Sequence, residues 1–468
     1  MCRDLVRGMR QGIMTQRYSR LLLIFPPFTK PALLEFAPIG ICQLAAYIRQ
    51  ELPLTAIKIL DYTNLRYSHT AFALELAAFQ PDIVGISVIT LNAPGGYMVT
   101  DIIHKLLPDV PVIFGGVHAI NSVPECLARG ADYISTGDGE LLLLEVMQHG
   151  FSPDIRGLIW SDGTLVSTRE QSLDIDLLPF PAYDLVNVRS YPRYPMWEVI
   201  GSRGCPYRCS FCTNHGMWDG KVRFRSPRRI VDEIEQLYRD YGITAIQFQD
   251  DTINVPRQRG IDICNEIVRR GLHKSMTFAA SLRVNKQLVS QELFDKLHYA
   301  EFTYLGFGVE SGSQRVLDTM RKDLTPGEVR AAVRMARGAG IKRIMGYLMI
   351  ANWGEGLRDV LRTWWLVLTV NMEAAFSVCA PFPGTEHRAR MLRAGYVTDT
   401  SEDWEQFNIT SVTARTDRLS KQQIYVLYAM SIMLQLVVAM FRHGQTKRTI
   451  QKLWLHGKDL LWHKKVGI

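Results

Sequence analysis

From Arg20 to about Gly150 the sequence alternates short apolar runs with segments of helical period. The runs are LLLIF (21–25), IKIL (57–60), DIVGIS (82–87), PVIF (111–114) and DYIST (132–136), and helical stretches intervene near 39–51, 70–79, 96–107, 122–129 and 139–148. Apolar runs of this length read as buried strands, and strands separated by helices pair through crossovers, so five such units in succession predict a parallel, doubly wound, flavodoxin-like sheet. A second series comes after it: WEVIG (197–201), TAIQFQ (244–249), MTFAAS (276–281), FTYLGFGV (302–309), RIMGYLMI (343–350) and AFSVCA (375–380). Helical segments such as PRRIVDEIEQLYRDYG separate them, which predicts a partial, open parallel (β/α)6 barrel. The stretch between the two series carries Pro153, Pro179, Pro181, Pro192 and Pro195 and reads as an ordered linker. The chain of 468 residues exceeds what one core supports. It divides into a flexible basic tail (1–19), a sheet domain (20–150), a linker (151–195), a barrel (196–400) and a helical C-terminal region (401–468).

Both folds bind ligands beyond the carboxyl ends of their strands. In the first domain those ends read Pro26-Pro27, Asp61, Ser87 to Leu91, Gly115-Gly116-Val117-His118 and Thr136-Gly137-Asp138-Gly139. No Gly-x-Gly-x-x-Gly follows the first strand; Phe-Pro-Pro-Phe stands there, and proline removes the amide donors a pyrophosphate needs. A nicotinamide dinucleotide is disfavoured. The late glycine pairs would let something broad lie flat against the loops, or are only tight turns.

Of the eight cysteines, Cys205, Cys209 and Cys212 form one cluster and the other five are scattered, so there is no disulfide framework and a reducing cytoplasm is expected. The basic N-terminus has no apolar core of signal-peptide length. The cluster follows the first barrel strand, where a barrel places its chemistry. Thiolates in the pattern C-x3-C-x2-C can hold a soft metal or an iron–sulfur cluster. With His215 they could instead complete a Cys3His zinc site. A cubane on three cysteines leaves one iron without a protein ligand, open to a substrate or cofactor. Nearby acids have plainer roles available: Asp250 and Asp251 could cap the next helix, and Glu310 could pair with Arg315.

The spacing Cys205-x-x-x-Cys209-x-x-Cys212, with Phe211 before the last cysteine, resembles the signature of the radical S-adenosylmethionine superfamily. That resemblance implies a 4Fe-4S cluster whose open iron chelates S-adenosylmethionine and whose electron releases a 5′-deoxyadenosyl radical. It extends along the barrel. Gln249-Asp250-Asp251 ends the second strand, where the family holds the methionyl amino group, and Ser281 and Arg283 end the third. Gly308-Val309-Glu310-Ser311-Gly312 resembles the family's GxESG near the ribose and methionyl moiety, Gly346 to Ile350 the segment by the adenine, and Pro381 to Thr385 its PxPGT.

The first domain resembles that of the cobalamin-binding class of these enzymes. Its opening pattern is matched by Pro26-Pro27, Pro38-Ile39-Gly40 and Leu44-Ala45-Ala46-Tyr47, its GGxHxxxxPE by Gly115-Gly116-Val117-His118 with Pro124-Glu125, and its GxGE by Gly137 to Glu140. The resemblance implies cobalamin contacts at Ser87, Gly115, Gly116, His118 and Gly137. There is no Asp-x-His-x-x-Gly, so no protein histidine on cobalt is implied; His118 stands as a hydrogen-bonding neighbour or, alternatively, an axial ligand. The combination implies methylation of an unactivated carbon of a small-molecule substrate by methylcobalamin held across the domain interface, with a reductase, flavodoxin or ferredoxin as electron donor. Ring formation or rearrangement without net methyl transfer is the alternative within the class. A tRNA methylthiotransferase would need three cysteines in the first domain, which has only Cys42 and Cys126 inside it. A corrinoid carrier or zinc-stabilised binding protein is the non-enzymatic reading.

Six of the eight net positive charges fall between Arg442 and Ile468, so the body of the protein is nearly neutral and no nucleic-acid partner is expected. Before this basic end, IYVLYAMSIMLQLVVAMF (424–441) meets the lower limit for a membrane span, but a buried helix closing the open barrel is the commoner fate of one such segment in a cytoplasmic enzyme. The basic, tryptophan-bearing end suits a membrane surface or an anionic substrate, and with it a lipid-linked or amphipathic substrate.

Overall fold

The computed structural model describes residues 16–29, 37–162, 164, 173–218, 220–398, 404, 407 and 409–443. The chain divides after Tyr194 into two compact units, with Trp404 belonging to the first.

In the first unit β1 (Arg20–Phe25), α1 (Ile39–Glu51), β2 (Ala56–Asp61), α2 (His69–Phe79), β3 (Ile83–Ser87), α3 (Ala93–Leu106) and β4 (Val112–Gly115) alternate as expected. Two short helices, α4 (Val117–Asn121) and α5 (Val123–Ala128), then lead to β5 (Tyr133–Ser135), α6 (Gly139–His149) and β6 (Leu158–Trp160). The sheet order is β2-β1-β3-β4-β5-β6. β1 pairs in parallel with both β2 and β3, so the order reverses there and opens a crevice at the carboxyl ends. The run Leu21 to Ile24 is almost fully buried because helices cover both faces of a parallel sheet. Leu21, Leu23 and Ile113 share one core with Ile41 and Ala45 of α1 and Leu142 and Val146 of α6.

Two sequence expectations change here. The presumed linker begins as sheet: β6 adds to β5 in antiparallel sense, and its Leu158 is fully buried. A three-residue strand carries too little periodicity to be seen beside five prolines. The chain beyond β6 is tied back by Tyr191, whose hydroxyl donates to Asp61 at 2.5 Å, and by a two-pronged Arg49–Asp184 pair. Likewise, residues 16–19 of the presumed flexible tail are held: the Arg17 amide donates to the Met147 carbonyl at 3.0 Å and the Ser19 hydroxyl to Asp82 at 2.9 Å. Residues 1–15 lie outside the described residues.

The second unit begins with β7 (Met196–Val199) and β8 (Ser202–Arg203), then α7 (Asn214–Trp218), β9 (Arg223–Phe224), α8 (Pro227–Tyr241), β10 (Ala245–Phe248), α9 (Arg257–Arg269), β11 (Thr277–Leu282) and α10 (Gln291–Tyr299). It continues through β12 (Phe302–Glu310), α11 (Gln314–Thr319), α12 (Pro326–Gly338), β13 (Arg343–Ile350), α13 (Leu357–Thr369), β14 (Glu373–Val378), α14 (Glu386–Arg393) and α15 (Lys421–His443). Six parallel strands run β14-β13-β12-β11-β10-β7, and the terminal strands do not pair with each other, so the barrel is open. Helix α8 shows why the intervening segments fold as they do. Ser226 caps it by accepting from the Arg229 amide, Pro227 sits at the first turn, Gly242 closes it in left-handed conformation, and Ile230, Ile234 and Leu237 form the buried stripe. On the helix-facing side of the sheet Phe248, Phe278 and Phe302 stack with centroids 5.4–5.7 Å apart, each burial contributing about 2 kcal/mol.

Helix α15 is long and apolar enough to cross a membrane over Lys421–Phe441. It is nevertheless built into the barrel edge. Ile424, Leu427, Leu436 and Val438 are buried, the Gln435 side chain accepts from the edge-strand amide of Phe376 at 3.0 Å, and Ser431 accepts from the Trp364 indole at 2.8 Å. The helix thus covers the open hydrogen-bonding edge of β14 and satisfies one of its donors. The basic segment 444–468 lies outside the described residues.

Candidate active site

The three clustered cysteines occupy the loop between β8 and β9, whose antiparallel pairing (Ser202 with Phe224, Arg203 with Arg223) gathers the loop's two ends. Gly204 enters it at φ +96°, and a Cβ there would stand 2.0 Å from the Lys221 carbonyl oxygen, so only glycine fits. The middle of the loop is pinned from two sides: the Ser210 amide donates to the Met320 carbonyl at 2.9 Å, and the Ser210 carbonyl accepts from the His387 amide at 2.9 Å. Burial raises the thiol of Cys205 and pushes that of Cys212 up to about 11, aided by the nearby Asp251 carboxylate. Among the described residues no three His, Cys, Asp or Glu side chains converge on a single ion. A cubane asks each thiolate to meet a different iron, so its three ligands need not converge on one ion.

Arg283 reaches this loop from the end of β11. Its guanidinium stacks over Tyr207 at 3.5 Å from the ring centre and donates to the Cys209 sulfur at 3.4 Å. It is held by Asn285, by the Lys322 carbonyl and, through its backbone, by Asn254. A buried cation so fixed would offset the negative charge of a thiolate-ligated cluster. Phe211 lies beneath a second buried cation, Lys322, whose ammonium is 5.9 Å from the ring centre and 2.6 Å from Glu310. Glu310 has φ +63° beside a register shift between β12 and β13, an uncommon conformation for a non-glycine residue that aims its carboxylate at Lys322. Arg315 pairs with Asp359 instead.

Asp250 is held by groups of the protein itself. One carboxylate oxygen accepts from the Gly201 amide at 2.7 Å; the other accepts from the Ser202 hydroxyl at 2.6 Å and from Arg259 at 2.9 Å. Its acceptors hold the exit of β7 and the start of the cysteine loop. Asp251, hydrogen-bonded by Asn214, is the acid whose charge acts on Cys205 and Cys212. Gly346 is part of β13. It shares strand parity with Ile344 and Leu348 on the helix side, where a Cβ would meet the Met372 sulfur at 2.8 Å. Its neighbours Met345 and Tyr347 face the lumen.

The lumen side is set by register. Gln247 stands opposite Glu198 and Ala279, Ser281 opposite Gly306, Tyr304 opposite Arg343, and Met345 opposite Glu373. This side is polar and paired. Gln249 donates to Glu198 at 2.8 Å, Arg343 grips Glu373 at 2.8 and 3.0 Å, and the Tyr304 and Tyr347 hydroxyls meet at 3.0 Å. Of these lumen residues sequence reasoning named Gln249 and Ser281 but missed Glu198, Tyr304, Arg343, Tyr347 and Glu373, although period-2 parity would have found them; Lys322, reached from the loop after α11, carries no such signal. At the barrel mouth two further groups are tuned by burial: Glu355 is pushed up to about 8 and His387 down to about 4.

In the first unit Ser87 and Gly115 stand opposite each other at the ends of β3 and β4. Gly116 (φ +95°) fits under the Val88 carbonyl, where a Cβ would come to 2.6 Å, and Gly137 (φ +74°) has open space around it. His118 is fully buried, with Tyr97 on Nε2 at 3.0 Å and Thr90 on Nδ1 at 3.4 Å. Tyr97 and the Trp404 indole both donate to Glu125, at 2.9 and 2.6 Å, and Trp404 meets the His118 ring edge-on. Both imidazole nitrogens are therefore engaged by side chains in a hydrogen-bonding role.

The family descriptions "Radical SAM superfamily" and "B12 binding domain" match residues 199–363 and 30–147. An uncharacterized methyltransferase of Pyrococcus horikoshii is 30% identical over 387 residues, 79% of this chain and 82% of its own. The anaerobic magnesium-protoporphyrin IX monomethyl ester cyclase of Cereibacter sphaeroides is 28% identical over 311 residues, 61% of this chain and 50% of its own. The solved radical S-adenosylmethionine methyltransferase TsrM of Kitasatospora setae, with cobalamin and a [4Fe-4S] cluster, has the same fold at TM-score 0.70 and 19% identity, covering 87% of this chain and 84% of its own. With its two domains matched and a methyltransferase relative aligned along most of both chains, this protein belongs to the cobalamin-dependent radical S-adenosylmethionine enzymes.

Proposed function

We propose that this enzyme methylates an unactivated carbon of a small-molecule biosynthetic intermediate, of a lipid-linked or otherwise amphipathic kind. The observation that carries the reading is the cysteine loop held by Arg283 and Lys322 at the carboxyl ends of the barrel strands, whose inner face carries paired polar side chains, in a chain whose first unit matches the B12 binding domain. When bound, the cluster with S-adenosylmethionine supplies a radical that abstracts hydrogen from carbon, and methylcobalamin supplies the methyl group. The chain's own residues provide the setting. Cys205, Cys209 and Cys212 would hold the cluster, with Arg283 beside Cys209 offsetting its charge. Gln249, Ser281 and the Glu310–Lys322 pair would position the methionyl end and ribose, and Ser87, Gly115, Gly116 and Gly137 would line the corrinoid. The Tyr304–Tyr347 pair and the Arg343–Glu373 fork would orient the substrate, since side chains already locked to one another lose little freedom on binding.

Ring formation is the second reading, favoured by the likeness to the Cereibacter sphaeroides cyclase. Incubation of the reduced, reconstituted enzyme with trideuteromethyl-labelled S-adenosylmethionine and candidate metabolites separates the two. Methylation yields a product carrying the intact label. A product of altered hydrogen count without label establishes the cyclase reading instead.

A further inference from the structure

Two adjacent helices of the barrel present an apolar face that nothing in the catalytic reading uses. On α13 the exposed large apolar positions are Leu357, Leu361, Trp365 and Leu368, a stripe at helical spacing in which Trp365 is 63% exposed. On α15, beyond the first turn, every exposed side chain up to Phe441 is apolar or aromatic, with Met433 65% and Phe441 82% exposed. The helices touch through the Trp364–Ser431 hydrogen bond, so the stripes belong to one surface. Half of the exposed large apolar side chains among the described residues lie on these two helices, where a soluble monomer scatters them singly.

Charge identifies what covers this face. The exposed polar side chains of α13 are Arg358, Arg362 and Thr369, and its one acid, Asp359, is buried between Arg315 and Arg362, the latter at 3.6 Å, so the pair of arginines outweighs it; α15 has no acid at all. Arg330 of α12 reaches the end of α13 by donating to Thr369 at 2.7 Å, extending the basic border. An apolar stripe bordered by arginines matches an anionic lipid surface. The chain's own segment 444–468 has six Lys and Arg against one acid, so it meets like charge here and is a poor cover. A transmembrane role for α15 is ruled out by its other side, which is buried on β14.

We propose that the α13–α15 face seats the enzyme on the surface of an anionic bilayer, with α15 lying in the interface plane. Because α15 covers β14, one margin of the open barrel, docking would bring that margin next to lipid, a short route for an amphipathic substrate. The inference rests on the barrel and not on the methylation reading.

The test is flotation of the full-length reconstituted protein with phosphatidylcholine vesicles, with and without one quarter phosphatidylglycerol. The variants are Trp365→Glu with Met433→Glu; Arg358→Gln with Arg362→Gln; Leu54→Glu with Leu74→Glu, a control on exposed apolar residues of the first unit; and a chain ending at His443. Iron content and melting of each variant report folding. The proposal expects flotation with the anionic vesicles, reduced at least about tenfold by the apolar pair, and roughly tenfold at low salt by the arginine pair, with the control unchanged. The shortened chain still floats. No flotation of the wild type, flotation indifferent to the apolar pair, loss of flotation only on shortening the chain, or a sedimenting dimer that the apolar pair dissociates would each overturn it.

Discussion

Replacing Asp250 by Asn removes a buried charge that three groups share. Both partners of the Asp250–Arg259 ion pair are buried, with side-chain exposures of 0% and 6%, and the same carboxylate accepts from the Gly201 amide and the Ser202 hydroxyl. Asparagine keeps one acceptor for the Gly201 amide but presents an N–H, or a neutral oxygen, to Arg259, leaving a buried guanidinium without its counter-charge. Losing one partner of a buried pair costs about 3–5 kcal/mol. For a unit of this size that lowers the melting temperature by about 10 °C. Thermal unfolding followed by calorimetry measures the loss, and the double variant Asp250→Leu/Arg259→Leu should recover part of it, since no uncompensated charge remains. Where the folded variant takes up iron, its affinity for S-adenosylmethionine should stay within about threefold of wild type, because the carboxylate holds the strand exit. An unchanged melting temperature together with a large loss of cofactor affinity would place Asp250 in the cofactor site.

Gly204→Ala places a Cβ against the Lys221 carbonyl at a positive φ, a strain of about 3 kcal/mol or more; iron bound after anaerobic reconstitution should fall to a small fraction of wild type while corrinoid binding persists. Glu355 keeps its proton up to about pH 8 when folded, whereas the unfolded chain releases it near 4.5, so its contribution to stability is full below pH 4.5 and is lost as pH rises to about 8. Glu355→Gln, which cannot ionise, should therefore gain on wild type across that window, by up to about 5 kcal/mol, read as urea midpoints at pH 6 and pH 9. Trp404→Phe deletes the donor to Glu125 and should destabilise the first unit by about 1–2 kcal/mol without changing iron content, as reported by denaturant unfolding and iron assay.

The strand–helix order of both units was legible because helical and strand periods differ, and the cysteine loop because three thiols at that spacing have few uses. The features that escaped detection did so for identifiable reasons. β6 is three residues long and antiparallel, too short to show alternation beside a proline-rich stretch. Asp250 and Asp251 are adjacent in sequence, and only the turn after β10 decides which faces the thiols. Tyr347 was passed over for its neighbour Gly346, which stands in the motif, although strand parity turns Tyr347 toward the lumen. Trp404 reaches Glu125 across 279 positions, and Lys322 meets Glu310 from a loop with no periodic signal; no local pattern encodes either.

If Cys205, Cys209 and Cys212 bear the cluster that splits S-adenosylmethionine, the anaerobically reconstituted, chemically reduced protein must release 5′-deoxyadenosine. Quantifying that product for the wild type and for Cys209→Ala decides the matter. Release is expected from the wild type and none above background from the variant, which still binds cobalamin. Equal release from both proteins, or none from a wild type loaded with iron and sulfide, would show that these thiols do not carry the chemistry.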